Sequence, residues 1–504
     1  MENEILDILI VGAGLSGIGA AVHLTKRCPG KSFAIVEARE RLGGTWDLFK
    51  YPGIRSDSDM YTLGYNFKPW TARRAIADAP SILTYLHETV DEYGLEDKIR
   101  FNHKVVDANW SSEEALWTVS LQQGDGSLST VRCNFLHMCS GYYSYDEGHD
   151  PDFPGKADFA GPIVHPQFWP DELDYAGKKV VVIGSGATAV TLVPSMAQTA
   201  AHVTMLQRSP TYIVSRPGED KWALRLRKFL PAKLAYLLTR WKNVLMGLFM
   251  FNLARKKPAA FKGRLLEMVR EEMGPDVNMA DYTPSYNPWD QRLCLVPDSD
   301  LFDSIKAGKA GIVTDHVERF SKDGIKLKSG KVLEADIIVT ATGLKMLTGG
   351  NAVISVDGKP VNFGETINYK GVMFSGIPNF GMTMGYTNAS WTLKADLTSE
   401  YVCRLINTMD RKGTPIATPT LPAGEEMGTE PMLDFSSGYV QRAIAHLPKQ
   451  GDRKPWRLNQ NFPKDIINLR HKAVDDGVIV FSKPGPVTSS RPAERDEVEA
   501  IAAE

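Results

Sequence analysis

Cysteine is scarce in this 504-residue chain. The five present, Cys28, Cys133, Cys139, Cys294 and Cys403, are scattered, odd in number and never spaced as Cys-x-x-Cys. That pattern offers no disulfide framework and no zinc site, and it argues against the redox dithiol of a disulfide reductase. An excess of charge of either sign is also missing. Lys and Arg total 58 against 60 Asp and Glu, a formal net charge of −2, so the surface is not built to attract nucleic acid. Neither the basic start nor the cleavable apolar stretch of a signal peptide is found, so a reducing, cytoplasmic compartment is expected. Low-complexity tracts and short repeats are lacking as well. The remaining composition, 43% hydrophobic and 23% charged, is that of an ordinary globular protein. At roughly 150 residues per domain the length suggests about three units.

What is present is a pattern that occurs twice. Ile8–Val11 is an apolar run, a glycine-rich turn follows, then a helical stretch from Ala20 to Lys26 and a second apolar run, Phe33–Val36. Lys179–Arg208 repeats it, with Val180–Ile183, a glycine turn, a helix through Ala197 and Val203–Leu206. Each is a βαβ unit. The expected fold is therefore α/β, with two Rossmann-like dinucleotide-binding domains and a helical insertion. The first domain is expected over 1–145 and 335–504, the second over 146–216 and 285–334, and the insertion over 217–284. Segment 415–432, rich in Pro, Gly and Glu, reads as a surface loop.

The first turn reads GAGLSG, so Gly12, Gly14 and Gly17 fill G-x-G-x-x-G. Such glycines serve a tight turn, close approach of backbone to pyrophosphate, and close helix–strand contact. Free N–H groups at the helix start favour phosphate, and Ser16 adds a hydroxyl. Glu37 ends the second strand 20 residues after Gly17, where a carboxylate accepts from ribose hydroxyls. N-terminal placement fits FAD, although spacing alone does not separate FAD from NAD. The second turn reads GSGATA: Gly184, Ser185, Gly186, Ala187, Thr188 and Ala189, followed by Val190. The position matching Glu37 is Gln207, and Arg208 and Ser209 follow. An acid there would repel a 2′-phosphate, whereas a neutral residue followed by arginine and a hydroxyl would bind one, so NADPH is expected over NADH.

Two longer signatures surround these turns. Residues 43–57 read GGTWDLFKYPGIRSD, fitting G-G-x-W-x-x-x-x-Y-P-G-x-x-x-D, and residues 159–170 read FAGPIVHPQFWP, fitting F-x-G-x-x-x-H-x-x-x-W-P. Both resemble the fingerprints of type I Baeyer–Villiger monooxygenases. The stretches WDLFKYPGIRSDSDMYTLG, YNPWDQRLCLVP and GYTNASWTLKADL look like the ethionamide-activating subgroup. The resemblance implies that NADPH reduces FAD, that O2 gives a C4a-peroxyflavin, and that this adduct converts ketones to esters or lactones or oxygenates sulfides and thioamides. It implies catalytic roles for Arg292, as a fixed positive charge, and Asp57, which orients it. Gly44, Thr45, Trp46, Asp47 and Leu48 are expected beside the flavin, with Arg55 and Ser56 also counted as cofactor-binding. Val105 is expected at the adenine by main chain. One departure stands out: many relatives have Lys before the arginine, whereas Gln291 stands here. His165 is read as a linker residue rather than an acid or base. Two other readings compete. A flavin N- or S-oxygenase would usually lack the Trp169–Pro170 ending, and a non-catalytic dinucleotide sensor would leave Arg292 and Asp57 without purpose.

Lys221 to Lys257 contains ten Lys or Arg and no Asp or Glu, interrupted by the 12-residue run Asn243–Ala254. That run is shorter than the ~20 residues needed to span a bilayer. Two readings fit the segment: a basic amphipathic pair lying on the inner face of the cell membrane, or a helical cap over the site with a solvated basic face.

Overall fold

The computed structural model describes residues 5–291, 293–422, 424, 426–433 and 435–485. Two sheets organise it. In the first, strand Ile5–Val11 runs parallel to Phe33–Val36, with Ile10 opposite Ile35, and to Leu128–Met138, with Ile10 opposite His137. These strands are almost continuously apolar because both faces are covered. Ile8 and Ile10 pack with Ala21 and Val22 of helix Leu15–Arg27 and with Leu397 and Tyr401 of helix Trp391–Lys412. Leu9 and Val11 face the other way, toward Trp110 and Trp117 of the antiparallel strands His103–Ser111 and Leu116–Gln123. Phe380–Met382 adds a further parallel strand beside Leu136–Met138.

The second sheet has five parallel strands in the order Ala310–Thr314, His202–Gln207, Lys179–Ile183, Ile337–Thr340, Ile163–Val164. Strand Ile337–Thr340 was expected in the first unit, from 335 onward, and this placement is corrected. It pairs with Lys179–Ile183, Ile338 opposite Val181, and so gives the second unit's first strand its other neighbour. The chain crosses back only after Gly343, whose φ of +113° suits glycine. The two crossings, Tyr143–Gly148 and Leu344–Met346, form an antiparallel pair.

The insertion is helical, as the lack of strand alternation predicts: Lys221–Phe229, Ala232–Lys256 and Pro258–Met273. Asp220 caps the first helix by accepting from the N–H groups of Trp222 and Ala223. The long helix is anchored by Arg240, a buried residue that donates to the carbonyls of Tyr61 (2.8 Å) and Gly64 (2.7 Å) and faces Asp396 at 3.5 Å. Among the described residues no helix is long and apolar enough to cross a membrane.

Candidate active site

The first glycine turn has the geometry its sequence implies. Gly12 has φ +105°, and a Cβ there would stand 2.7 Å from the Cys139 carbonyl oxygen. On Gly17 it would stand 1.8 Å from the Gly12 oxygen, so helix and strand touch through bare backbone. Gly14 caps helix Leu15–Arg27 with no side-chain hydrogen bond to the first N–H groups. The Gly43–Gly44 turn closes over it. Gly43 N–H donates to the Ala13 carbonyl (3.0 Å), and a Cβ on Gly44 would lie 3.1 Å from the Gly14 Cα. Glu37 is buried, accepting from the N–H groups of Ala13 (2.7 Å) and Arg39 (3.1 Å). Burial pushes its carboxyl above the ordinary value, against the pull of those N–H groups.

These residues border a cavity of about 1080 Å³. Of the residues expected at the site, Gly12, Gly14, Ser16, Glu37, Gly44, Thr45, Trp46, Ser56, Asp57 and Val105 are on its wall. Ser16 is already engaged, its hydroxyl accepting from the Trp391 indole at 2.8 Å. Asp47, Leu48 and Arg55 are not on the wall. The Asp47 carboxylate instead pairs with Arg39 (2.6 Å) and Arg41 (3.1 Å), which fixes Arg39 against the cavity. Arg55 pairs with Asp300 at 2.5 Å and ties the first unit to the second. Arg292 lies outside the described residues; Trp289 and Leu293, on either side of it, border the cavity.

The second turn stands apart from that wall. Gly184 has φ +144° and would place a Cβ 2.3 Å from the Ala341 oxygen, while a Cβ on Gly186 would meet nothing within 4 Å. The crest is therefore open, and helix Ala187–Met196 again begins without a side-chain cap. The Ser185 hydroxyl donates to the Ser209 carbonyl (3.1 Å), tying the turn to the end of the next strand. Thr188 hydrogen-bonds Tyr51, and Ala189 and Val190 are buried in the second unit's core. Gln207 is buried and donates to the Asp281 carbonyl (2.7 Å) and the Thr314 hydroxyl (2.8 Å), so its amide is committed to holding the strand end. Arg208 is exposed.

A family model described as flavin-binding monooxygenase-like matches residues 75–347, more than half of the chain, and one for an NAD(P)-binding Rossmann-like domain matches 10–70. FAD-containing monooxygenase EthA of Mycobacterium tuberculosis is 54% identical over 489 residues, covering 96% of this chain and 99% of that protein. This chain belongs to the flavin-binding monooxygenase-like family. Probable FAD-binding monooxygenase AlmA of Acinetobacter baylyi is 49% identical over 484 residues, covering 96% of this chain and 97% of its own. Among solved structures, oxidised steroid monooxygenase bound to NADP matches with a TM-score of 0.70 at 24% identity, covering 83% of this chain and 88% of that one. Open cyclohexanone monooxygenase matches at 0.69 and 22%, covering 83% and 90%. The two-domain architecture expected from the glycine turns is the fold of these two monooxygenases.

Several residues around the two turns lie outside the glycine motifs and the two fingerprints. Trp391 stacks on Tyr142 with ring centroids 5.1 Å apart. Arg39 lies 5.9 Å from the Tyr145 ring centre. The buried His103 Nε2 has no hydrogen-bond partner and borders the cavity beside Val105. Beside Gly343 lies Arg442, from helix Gly438–Ala443, whose Nη2 is 3.8 Å from where a Gly343 Cβ would stand. Arg442 is exposed, but the partial desolvation of its guanidinium and the neighbouring Arg208 charge both lower it from the usual value. Two of them carried a local signal: Arg39 stands two residues after Glu37, and Trp391 lies within the stretch GYTNASWTLKADL.

Proposed function

We propose that this family member is an NADPH- and O2-dependent FAD monooxygenase that converts ketones to esters or lactones and also oxygenates sulfides or thioamides. The observation that supports it best is the convergence of Gly14, Gly44, Glu37, Trp46 and Asp57 on one cavity. At about 1080 Å³, that cavity exceeds the ~300–1,000 Å³ usual for a single drug-sized ligand. The residues fit FAD. The Gly14–Gly44 cradle admits a pyrophosphate against uncapped N–H groups, and Glu37 stands where a ribose diol would need an acceptor. The unpartnered His103 Nε2 and the backbone of Val105 offer polar contacts to the adenine end. When bound, the flavin supplies the redox chemistry, taking a hydride from the nicotinamide and passing electrons to O2.

The chain's own residues position and shield. Trp46, Tyr142, Trp289 and Trp391 wall the cavity with aromatic surface and exclude water, which strengthens electrostatic contacts inside. Asp57 borders the cavity. In this reading it orients the Arg292 guanidinium toward the negative charge that develops during oxygen transfer. Arg208 and Arg442 take the 2′-phosphate of NADPH, a task in which Gln291 cannot share by charge.

The test supplies the purified flavoprotein with NADPH, 18O2, a ketone and a sulfide. One labelled oxygen in an ester supports the proposal. Labelled sulfoxide without any ester would replace it with the N- or S-oxygenase reading. Arg292→Ala is expected to retain both cofactors and lose ester formation.

A further inference from the structure

Helix Ala232–Lys256 has two distinct faces. One is used inside: Tyr236, Thr239, Arg240 and Val244 are buried, and Asn243, Gly247 and Met250 border the cavity. The opposite face carries Leu234, Leu238, Trp241, Leu245 and Phe249, between 40% and 61% exposed. Their steps of four, three, four and four residues place them on a single stripe. Phe229, at the joint with the preceding helix, is 84% exposed. A contiguous apolar strip of this kind marks a binding surface rather than ordinary surface scatter. It is also continuous with the cavity, since Trp222 and Met246 border the cavity and are each more than half exposed.

Charge identifies what covers the strip. Lys221–Lys257 holds ten basic and no acidic residues. Lys242 and Arg255 are neutralised by Asp220 and Asp290. Lys228 and Lys233 at one end of the stripe, and Lys256 and Lys257 at the other, make no ion pair among the described residues. A second copy of this chain would bring the same positive charge against the strip. An anionic lipid surface satisfies both parts, taking the apolar stripe into the headgroup boundary while its phosphates meet the flanking lysines.

We propose that the helix pair 221–256 docks on an anionic membrane surface, with the cavity mouth at Trp222 and Met246 facing the lipid, so that lipophilic substrates enter from the bilayer. The docking stands independently of the chemistry; the substrate route rests on the monooxygenase reading.

The experiment sediments the full-length flavoprotein with phosphatidylcholine vesicles, with and without phosphatidylglycerol, at low and high salt. Binding is expected with the anionic vesicles only, and salt should weaken it. In the double variant Leu238→Glu, Leu245→Glu, neither changed residue lines the cavity. It should bind at least ~10-fold more weakly, with an unchanged melting temperature and unchanged turnover of a short, water-soluble ketone. Its turnover of a long-chain ketone carried in anionic vesicles should fall in parallel. Docking is overturned if neutral vesicles bind equally, if the variant binds like the wild type, or if the variant merely converts a dimer to a monomer in vesicle-free ultracentrifugation. Vesicle binding by a protein that oxygenates neither ketone nor sulfide would leave docking intact and sink the enzymatic reading instead.

Discussion

Replacing Arg442 with alanine should separate NADPH from NADH. Nothing in the glycine turns points to this residue, which lies far beyond even the second of them in sequence. The fold brings it to the carboxyl end of strand Ile337–Thr340, next to the strand that leads into Gly184, and that end of a parallel sheet is where dinucleotides bind. A hydrogen bond to a charged group contributes about 1.5–3 kcal/mol, and exposure to solvent lowers that. Arg442 is exposed, so about 1.4 kcal/mol is the reasonable expectation, which is about tenfold in affinity. Arg208→Ala should cost a similar factor, and the double variant about a hundredfold if the two act independently. NADH has no 2′-phosphate, so its affinity should stay unchanged in all three. The assay is a titration of the oxidised flavoprotein with NADP and NAD, accompanied by KM values for the reduced forms. Equal losses for both nucleotides would show that Arg442 merely supports the fold around Gly343. Loss of neither would show that the 2′-phosphate lies elsewhere.

Four other perturbations test other links. Gly17→Ala places a methyl 1.8 Å from the Gly12 oxygen, where only backbone can yield. Overpacking of this kind costs about 1–3 kcal/mol or more, so the protein should emerge with little yellow colour, and a normal flavin-to-protein ratio would contradict the turn geometry. Gly53→Val strains a residue at φ +77° and pushes into Ser195 of the second unit's helix. Flavin content should persist while NADPH consumption becomes uncoupled from product, and tight coupling in the variant would count against a joint at this point. Arg240→Leu strips the Tyr61 and Gly64 carbonyls of their donor and leaves Asp396 with only His23 and the Asn66 N–H, a loss of about 1–3 kcal/mol for each group left unsatisfied, and an unchanged melting temperature would refute the anchor. His137 is completely buried, which pushes its pKa down to about 4. Below the ordinary 6.5, unfolded chains bind a proton that the native state refuses. Stability is therefore complete above pH 6.5 and declines as pH falls toward 4, by about 3 kcal/mol. Urea midpoints for wild type and His137→Gln across that range should converge at acid pH, and parallel slopes would exclude His137 as the source.

The βαβ units were legible because each glycine has a local steric reason and each strand a local apolar run. Glu37 and Gly17 stand where their spacing placed them. The sequence was less informative wherever a role depends on a distant partner. Arg55 is part of the same fingerprint as Asp57, yet its guanidinium reaches Asp300 in the other unit. Strand Ile337–Thr340 has an apolar run that suits either sheet, and only pairing with Val180–Ile183 decides between them. Segment 415–432, expected as a loop, contains Ile416–Pro419, which gains its strand character by pairing with Ile479–Ser482. Trp391 reaches the cavity wall and Arg442 reaches Gly343 from the C-terminal part of the chain, where no spacing relates them to a glycine turn.

Those long-range contacts give the fingerprints a physical meaning beyond recognition. In the first, Gly43–Trp46 border the cavity, Gly53 packs on Ser195, Tyr51 bonds Thr188, and Asp57 returns to the cavity. The stretch is a strap whose ends belong to one nucleotide site and whose middle grips the helix of the other. In the second, a Cβ on Gly161 would stand 2.2 Å from the Asp336 oxygen. The His165 ring bonds the Gly343 carbonyl at 3.2 Å and leaves no room for a side chain on Gly148. That histidine clamps both crossings at once, and burial holds its pKa below the ordinary value, consistent with a neutral ring acting as a structural pin. Hydride transfer between two separately bound dinucleotides demands a fixed distance between their domains, and small misplacements are costly. The fingerprint positions that do not border the cavity are accounted for by that demand: they set the register of one domain against the other, and the chemistry is left to the residues that the register brings together.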